Sequence, residues 1–335
     1  MDPGFFLIRT YARSSPDAEV ESVLMPLLKF QIRRALLSVS LVLFATIAFQ
    51  LHAFPLNVEH ASGATTIAAE PKKTVVFDLA SLDTMHALGV EASAVPTAKY
   101  VNQLSAYANK SIPKVGSLFE PDYEAINALS PDLIIIGGRS APKYTDLGKL
   151  APTIDMTVDP KDLMGSVKRN TLKLAEIFNK QDKAREQLKK LDESVATLKE
   201  KAKNAGSGLI ILTTGGKVSA YGPGSRFGIL HDAFGIAAAA PNLSTSNHGQ
   251  AVSFEFVYKT DPQWLFVIDR DGAIGREGVA ASQLLDNELI HKTAAWKNKR
   301  IVYLNAMDWY LLGSAGLTAM QQNVEQLITA LDGKQ

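Results

Sequence analysis

The chain has 335 residues (36.2 kDa), 46% of them hydrophobic and 21% charged, a balance that argues against disorder and allows two domains with sizeable cores. With 35 Lys and Arg against 34 Asp and Glu the net charge is +1, so no basic face argues for nucleic-acid binding. The absence of cysteine excludes thiolate zinc sites, iron–sulfur clusters, cysteine nucleophiles, disulfides and a lipid-modified N-terminal cysteine.

The first element is an address. ALLSVSLVLFATIAF (35–49) is an uncharged run behind Lys29, Arg33 and Arg34. A basic segment, a short apolar stretch and small residues at its exit describe a secretory signal peptide, and the run is short for a bilayer span. The acidic residues Asp2, Asp17, Glu19 and Glu21 are out of place before such a signal, so Met25 is the better start and residues 1–24 read as a mis-called extension. Cleavage is expected near Ala53 or Ala61. With the later site the mature chain begins around Ser62 and is expected to be exported and not embedded in the membrane.

From Thr74 strands and helices alternate. TVVF (74–77), ASAVP (92–96) and PDLIIIGG (131–138) read as strands, LASLDTMHALGV (79–90) and YEAINALS (123–130) as helices. Continuous apolar runs joined by helices predict α/β lobes with mainly parallel sheets covered on both faces. Residues 166–204 lack Gly and Pro, and Leu174, Ile177, Ala184, Leu188, Leu191, Val195 and Leu198 recur at helical spacing. One straight helix of this length outruns a lobe, so a break is expected at Asn179-Lys180-Gln181, with Asp182 capping the second half. GLIILTT (208–214), WLFVID (264–269) and RIVYLN (300–305) restart the strands, and residues 317–331 form a terminal helix. The expected organisation is an extension plus signal peptide (1–61), an N-terminal lobe (62–160), a connecting helical segment (161–204) and a C-terminal lobe (205–335). A ligand site is then expected between the lobes, near the carboxyl ends of the strands.

Catalytic motifs are missing. The six histidines form no HExxH or HxH pattern, Gly215-Gly216-Lys217 lacks the frame of a P-loop, and GPGSRFG (222–228) has turn spacing, not dinucleotide spacing. No GxSxG elbow occurs. What recurs is arginine past a strand: Arg139 after LIIIGG, Arg270 after LFVID, and Arg226 in the glycine turn. Three such arginines suggest an anion cradle, because guanidinium suits bidentate contact with oxyanions.

SLDTMHALGV, VGSLFEPDYEAINALSPDLIIIGG and KTAAWKNKRIVYLN resemble the helical-backbone class of periplasmic substrate-binding proteins of metal-chelate ABC importers, from Thr74 to the end. Within it the chain is most similar to binding proteins for ferric catecholate (enterobactin-type) siderophores of Campylobacter and vibrios. The resemblance implies two βα lobes joined by a long helix, no reaction and no intrinsic cofactor. It implies a monomer in the periplasm, a ferric siderophore as ligand and an inner-membrane ABC permease as partner. It carries ligand contact to Arg139, Arg226 and Arg270, and more weakly to Lys99 and Tyr100 at the rim. It carries iron ligation to His248 and Tyr310 when the siderophore leaves iron positions open, and permease docking to Glu124 and Glu255. Other readings stand beside this one: haem, cobalamin or another chelate within the class, or a secreted metal-dependent enzyme. Phenolate and imidazole both suit ferric iron, and nearby arginines would help Tyr310 lose its proton.

Overall fold

The computed structural model describes residues 54–100 and 102–333. The expected signal run at 35–49, Met25 and Ala53 lie outside the described residues. Among the described residues no helix is long and apolar enough to cross a membrane.

A hairpin opens the folded body: β1 (Leu56–His60) pairs antiparallel with β2 (Gly63–Ile67). The expected cleavage point at Ala61 and the lobe boundary at 62 need correction here. Ala61 sits in the hairpin turn, its N–H donating to Asp155 O at 3.0 Å, and Val58 of β1 is buried. Cutting there would strip a packed strand, so the lobe includes β1.

The N-terminal lobe is built on parallel strands. β3 (Thr74–Val76) pairs with β6 (Leu133–Ile136), which pairs with β7 (Thr153–Asp155). β4 (Val95–Thr97) pairs with β5 (Lys114–Ser117) and reaches β3 through a Val75–Ala94 bridge. Alternate residues of these strands enter two cores: Val76 and Ile135 on one face, Val75, Ile134 and Ile136 on the other. Burial on both faces accounts for the unbroken apolar runs.

The C-terminal lobe repeats the scheme. β8 (Ser207–Thr214) lies parallel to β12 (Trp264–Asp269), and β12 parallel to β13 (Ile301–Tyr303). The two-residue β10 (Ala237–Ala238) also runs parallel to β8, while β9 (Lys217–Tyr221) and β11 (Gln250–Val252) extend the sheet antiparallel. Ile210, Leu212, Phe266 and Ile268 face one core, Leu209, Ile211, Leu265 and Val267 the other.

Helix α1 (Leu79–Leu88) follows β3, capped by Asp78 and closed by Gly89 in the left-handed region (φ 76°), which needs no Cβ. Helix α2 (Tyr123–Leu129) precedes β6. The connecting segment is two helices, α3 (Leu163–Ile177) and α4 (Gln181–Ala202). The break falls where expected, with Asn179 at φ 55° and Lys180 N–H donating back to Ala175 O at 2.7 Å. The expected cap does not form. Lys180 holds the cap position without a side-chain bond, and Asp182 lies inside the first turn, where it pairs with Arg185. The chain re-enters the helix directly after its left-handed residue, which leaves no room for a separate capping turn.

Helix α5 (Phe254–Thr260) precedes β12, and α6 (Arg270–Ile274) follows it. The terminal helix α7 (Leu317–Leu331) does not belong to the C-terminal lobe alone. Gln321 Nε2 donates to Ser194 Oγ at 2.9 Å and Lys190 pairs with Glu325, both tying α7 to α4. Its start is capped from the other lobe: Asp83 Oδ2 accepts from Thr318 N and Ala319 N at 2.8 and 3.0 Å, and Thr84 Oγ1 accepts from Leu317 N. Gly316 holds the cap position because a Cβ there would fall 2.3 Å from Asp83 Oδ2.

Candidate functional site

The three arginines reach one point from different elements. Arg139 follows β6 through Gly137-Gly138, and Gly138 N–H is held by Thr157 Oγ1 at 2.8 Å. Arg226 stands in the turn after β9, where Ser225 Oγ donates to Gly222 O at 2.6 Å and Gly224 adopts φ 69°. Arg270 is the first residue after β12, behind Asp269, which caps α6. Strand ends thus set the positions, and side chains do the converging.

That point is Tyr310, on a π-helical turn (Met307–Leu311) between the two lobe cores. Such turns are uncommon and concentrate at functional sites. Asn305 holds the turn, accepting from Met307 N at 3.1 Å and donating to Asp308 Oδ2 at 2.7 Å. Arg270 Nε donates to Tyr310 Oη at 2.7 Å and Arg270 Nη1 to Thr214 Oγ1 at 3.1 Å. Arg226 Nη2 donates to Tyr310 O at 2.7 Å. Arg139 Nη1 and Nη2 donate to Leu311 O and Tyr310 O at 2.9 and 3.1 Å. All three guanidinium groups also approach the phenol ring, at 5.9 Å (Arg139), 4.6 Å (Arg226) and 5.3 Å (Arg270) from its centroid.

This geometry alters the charge states. Burial pushes the Tyr310 phenol up. The hydrogen bond from Arg270 and the positive charges of Arg270, Arg226 and Arg139 outweigh it, and hold the phenol below its usual range. Burial lowers Arg139, and so does the neighbouring Arg226. Three like charges held this close favour an anion placed among them.

Asp308, two residues before Tyr310, is fully buried. Burial, reinforced by the nearby Asp83 carboxylate, pushes it up to about 7. Its Oδ1 has no hydrogen-bond partner, which fits a carboxyl that retains its proton.

His248 does not join this cluster. It is exposed in the turn before β11, where its N–H donates to Ser246 Oγ, and no hydrogen bond links it to Tyr310. The turn is seated on the same wall, because Gly249 lies so close to Tyr221 that a Cβ would fall 2.8 Å from the ring. Tyr221 packs edge-on against Phe227 at 4.6 Å, beside Arg226. Among the described residues no group of three or more His, Asp or Glu is placed to hold a metal ion.

The rim residues divide. Lys99 is exposed and bridges the lobes, its Nζ donating to Gly272 O at 2.9 Å. Tyr100 does not line the rim. It is 6% exposed in the N-terminal core and donates its hydroxyl to Pro96 O at 2.6 Å, an anchor its aromatic bulk makes favourable.

Glu124 and Glu255 occupy equivalent places. Each is exposed in the first turn of a seven-residue helix, α2 or α5. Glu255 pairs with Lys259 at 2.7 Å, one turn on. Glu124 has Ala128 at that position.

The sequence profile of the periplasmic binding protein family matches residues 75–307. The chain belongs to the periplasmic binding protein family. Over 282 residues it is 39% identical to the petrobactin-binding protein YclQ of Bacillus subtilis, covering 83% of this chain and 88% of that one. The crystal structure of that protein superposes with a TM-score of 0.80 over 84% of this chain and 99% of its own. The ferric-anguibactin-binding protein FatB of Vibrio anguillarum is 30% identical over 280 residues, 82% of this chain and 87% of that one. The periplasmic catecholate-siderophore binding protein VctP of Vibrio cholerae is 29% identical, with a TM-score of 0.77 over 83% and 99% of the two chains. Family membership carries the helical-backbone α/β fold expected from the motifs.

Sequence reasoning missed Thr214 and Asp271, the groups behind Arg270, and Asp78, which lies near Arg139. Asp271 had one visible signal, its adjacency to Arg270 in the run IDRD.

Proposed function

We propose that this protein is an exported, periplasmic binding protein that captures a ferric catecholate siderophore and delivers it to an inner-membrane ABC permease. It is a binding protein, not an enzyme. The observation that carries the reading is the convergence of Arg139, Arg226 and Arg270, from both lobes, on the half-buried Tyr310. Relatives that bind petrobactin, anguibactin and catecholate siderophores support the ligand class.

In this reading a ferric complex enters between the lobes, and Arg139 and Arg226 exchange main-chain carbonyls, and Arg270 its side-chain partners, for the anionic oxygens of the complex, contacts worth about 1.5–3 kcal/mol each. Tyr310, with its phenol already lowered, supplies a phenolate to an open iron position, and His248 supplies the second when its turn closes over the ligand. The iron is cargo and brings most of its donors with it. Lys99 lies at the mouth. Glu124 and Glu255, one per lobe, meet the permease from outside the cleft.

The test is direct. Purified protein mixed with a ferric catecholate should stay coloured after desalting, and fluorescence quenching should rank catecholates above hydroxamate and haem ligands. A colourless protein, or a preference for neutral hydroxamate complexes, would remove the reading.

A further inference from the structure

Behind Arg270 stands a carboxylate that a tally of arginines leaves out. Asp271 is 5% exposed. Its Oδ1 accepts from Thr214 Oγ1 at 3.0 Å and lies 3.7 Å from Arg270 Nη1. Its Oδ2 accepts from Gly215 N at 2.6 Å. Thr214 Oγ1 in turn accepts from Arg270, whose Nε donates to the Tyr310 hydroxyl. A continuous polar chain therefore runs from the phenol through Arg270 and Thr214 to Asp271. On the outer side, Arg276 Nη1 stands 4.0 Å from the same Oδ1, with 60% of its side chain exposed. Lys99 crosses from the other lobe to Gly272 O, so this segment forms the lip where the lobes meet.

A fixed, buried carboxylate is screened far less than a surface one. Its repulsion of an incoming anion grows in proportion to the anion's charge, so a trianionic complex suffers three times what a monoanionic one does at the same place. We infer that Asp271 tunes the charge selectivity of the cleft: by offsetting one of the three arginine charges, it narrows the electrostatic advantage that a trianionic tris-catecholate would have over a ferric complex of low negative charge, such as a bis-catecholate. Arg276 opposes it from the lip by partly neutralising the same carboxylate. The inference rests on the ferric-catecholate reading given above and names the residue that shifts the balance between members of that class. A purely structural Asp271, holding the Gly215 turn, would affect both ligands alike.

The experiment compares wild type, Asp271→Asn and Arg276→Gln by fluorescence-quench titration with a ferric bis-catecholate and a ferric tris-catecholate, at low and high salt. Asp271→Asn should move the ratio of affinities toward the tris-catecholate by about tenfold. Arg276→Gln should move it the other way by a smaller factor, and both shifts should shrink at high salt. If wild type binds both complexes and Asp271→Asn leaves their ratio unchanged, the inference is wrong while the ferric-catecholate reading survives. If wild type binds neither, that reading itself has failed. Should Asp271→Asn fail to fold by thermal melt, the exposed Arg276→Gln decides, and an unchanged ratio there overturns the inference.

Discussion

The two lobes build the same unit twice. From Asp122 to Arg139, and from Ser253 to Arg270, the residues correspond one for one with no insertion. Asp122 and Ser253 cap their helices by accepting from Ala125 N and Phe256 N. Ile126 and Val257 are buried, and Ser130 and Asp261 end the helices in the left-handed region. Pro131 and Pro262 follow, and Asp132 and Gln263 then hold backbone amides at the start of the neighbouring strand. Each unit thus carries a glutamate at one end and an arginine at the other. The surroundings differ. Arg139 spends its donors on main-chain carbonyls, whereas Arg270 donates to the Tyr310 phenol and is backed by Thr214 and Asp271. A repeated scaffold fixes where an arginine emerges, and the non-repeated neighbours decide what it does.

The largest expected effect tests the arginines together. Replacing Arg139, Arg226 and Arg270 by Gln should remove measurable binding of a ferric tris-catecholate, each loss costing about 1.5–3 kcal/mol. Wild-type affinity in the triple variant would end the anion-cradle account. Among single variants, Arg270→Gln should also raise the pH at which iron-bound Tyr310 phenolate absorbs, because the hydrogen bond and charge that lower the phenol are lost. Arg139→Gln should raise it less, and equal shifts would erase the distinction between the lobes.

The repeat itself can be broken at its buried residues. Ile126→Ala should cost about 2–5 kcal/mol in chemical denaturation. Val257→Ala should cost less, since fewer methyl groups leave an equally buried site. A larger loss at Val257 would show that the two units are not packed alike.

A smaller effect concerns Asp308. Its carboxyl binds a proton in the folded protein that it releases near its ordinary 3.8 when unfolded. Stability from this group is therefore full below about pH 4 and is lost as pH rises through about 7. Asp308→Asn should stabilise the protein by on the order of 2 kcal/mol at pH 8 and flatten the fall between those values. Destabilisation at pH 8 would contradict a carboxyl that burial holds in its protonated form.

Reversing Glu124 and Glu255 to Arg should leave ligand affinity unchanged and abolish siderophore-supported growth. Growth by the double variant would remove the docking role.

Much of this fold was legible because its signals are local. WLFVID and the terminal helix fall on the expected residues, and the helix break falls at Asn179. Errors came where the outcome depends on which hydrogen-bond partner the folded backbone brings into reach. Asp182 was a plausible cap until Lys180 bonded back to Ala175. Tyr100 was a plausible rim residue until Pro96 took its hydroxyl. Ala61 looked like a cleavage site because a hairpin with few apolar residues resembles a processing region. The arginines were visible as residues past strands, but their meeting at Tyr310 required the fold to close.

The central claim is that Tyr310 and His248 complete the shell of an iron whose siderophore leaves two positions open. Visible-absorbance titrations of wild type and a His248→Ala/Tyr310→Phe variant, with a tetradentate bis-catecholate and a hexadentate tris-catecholate, test it. The account predicts that the variant loses several kcal/mol for the tetradentate complex, together with its shifted charge-transfer band, and binds the hexadentate complex almost as wild type does. Equal losses for both ligands, or none for either, would contradict it.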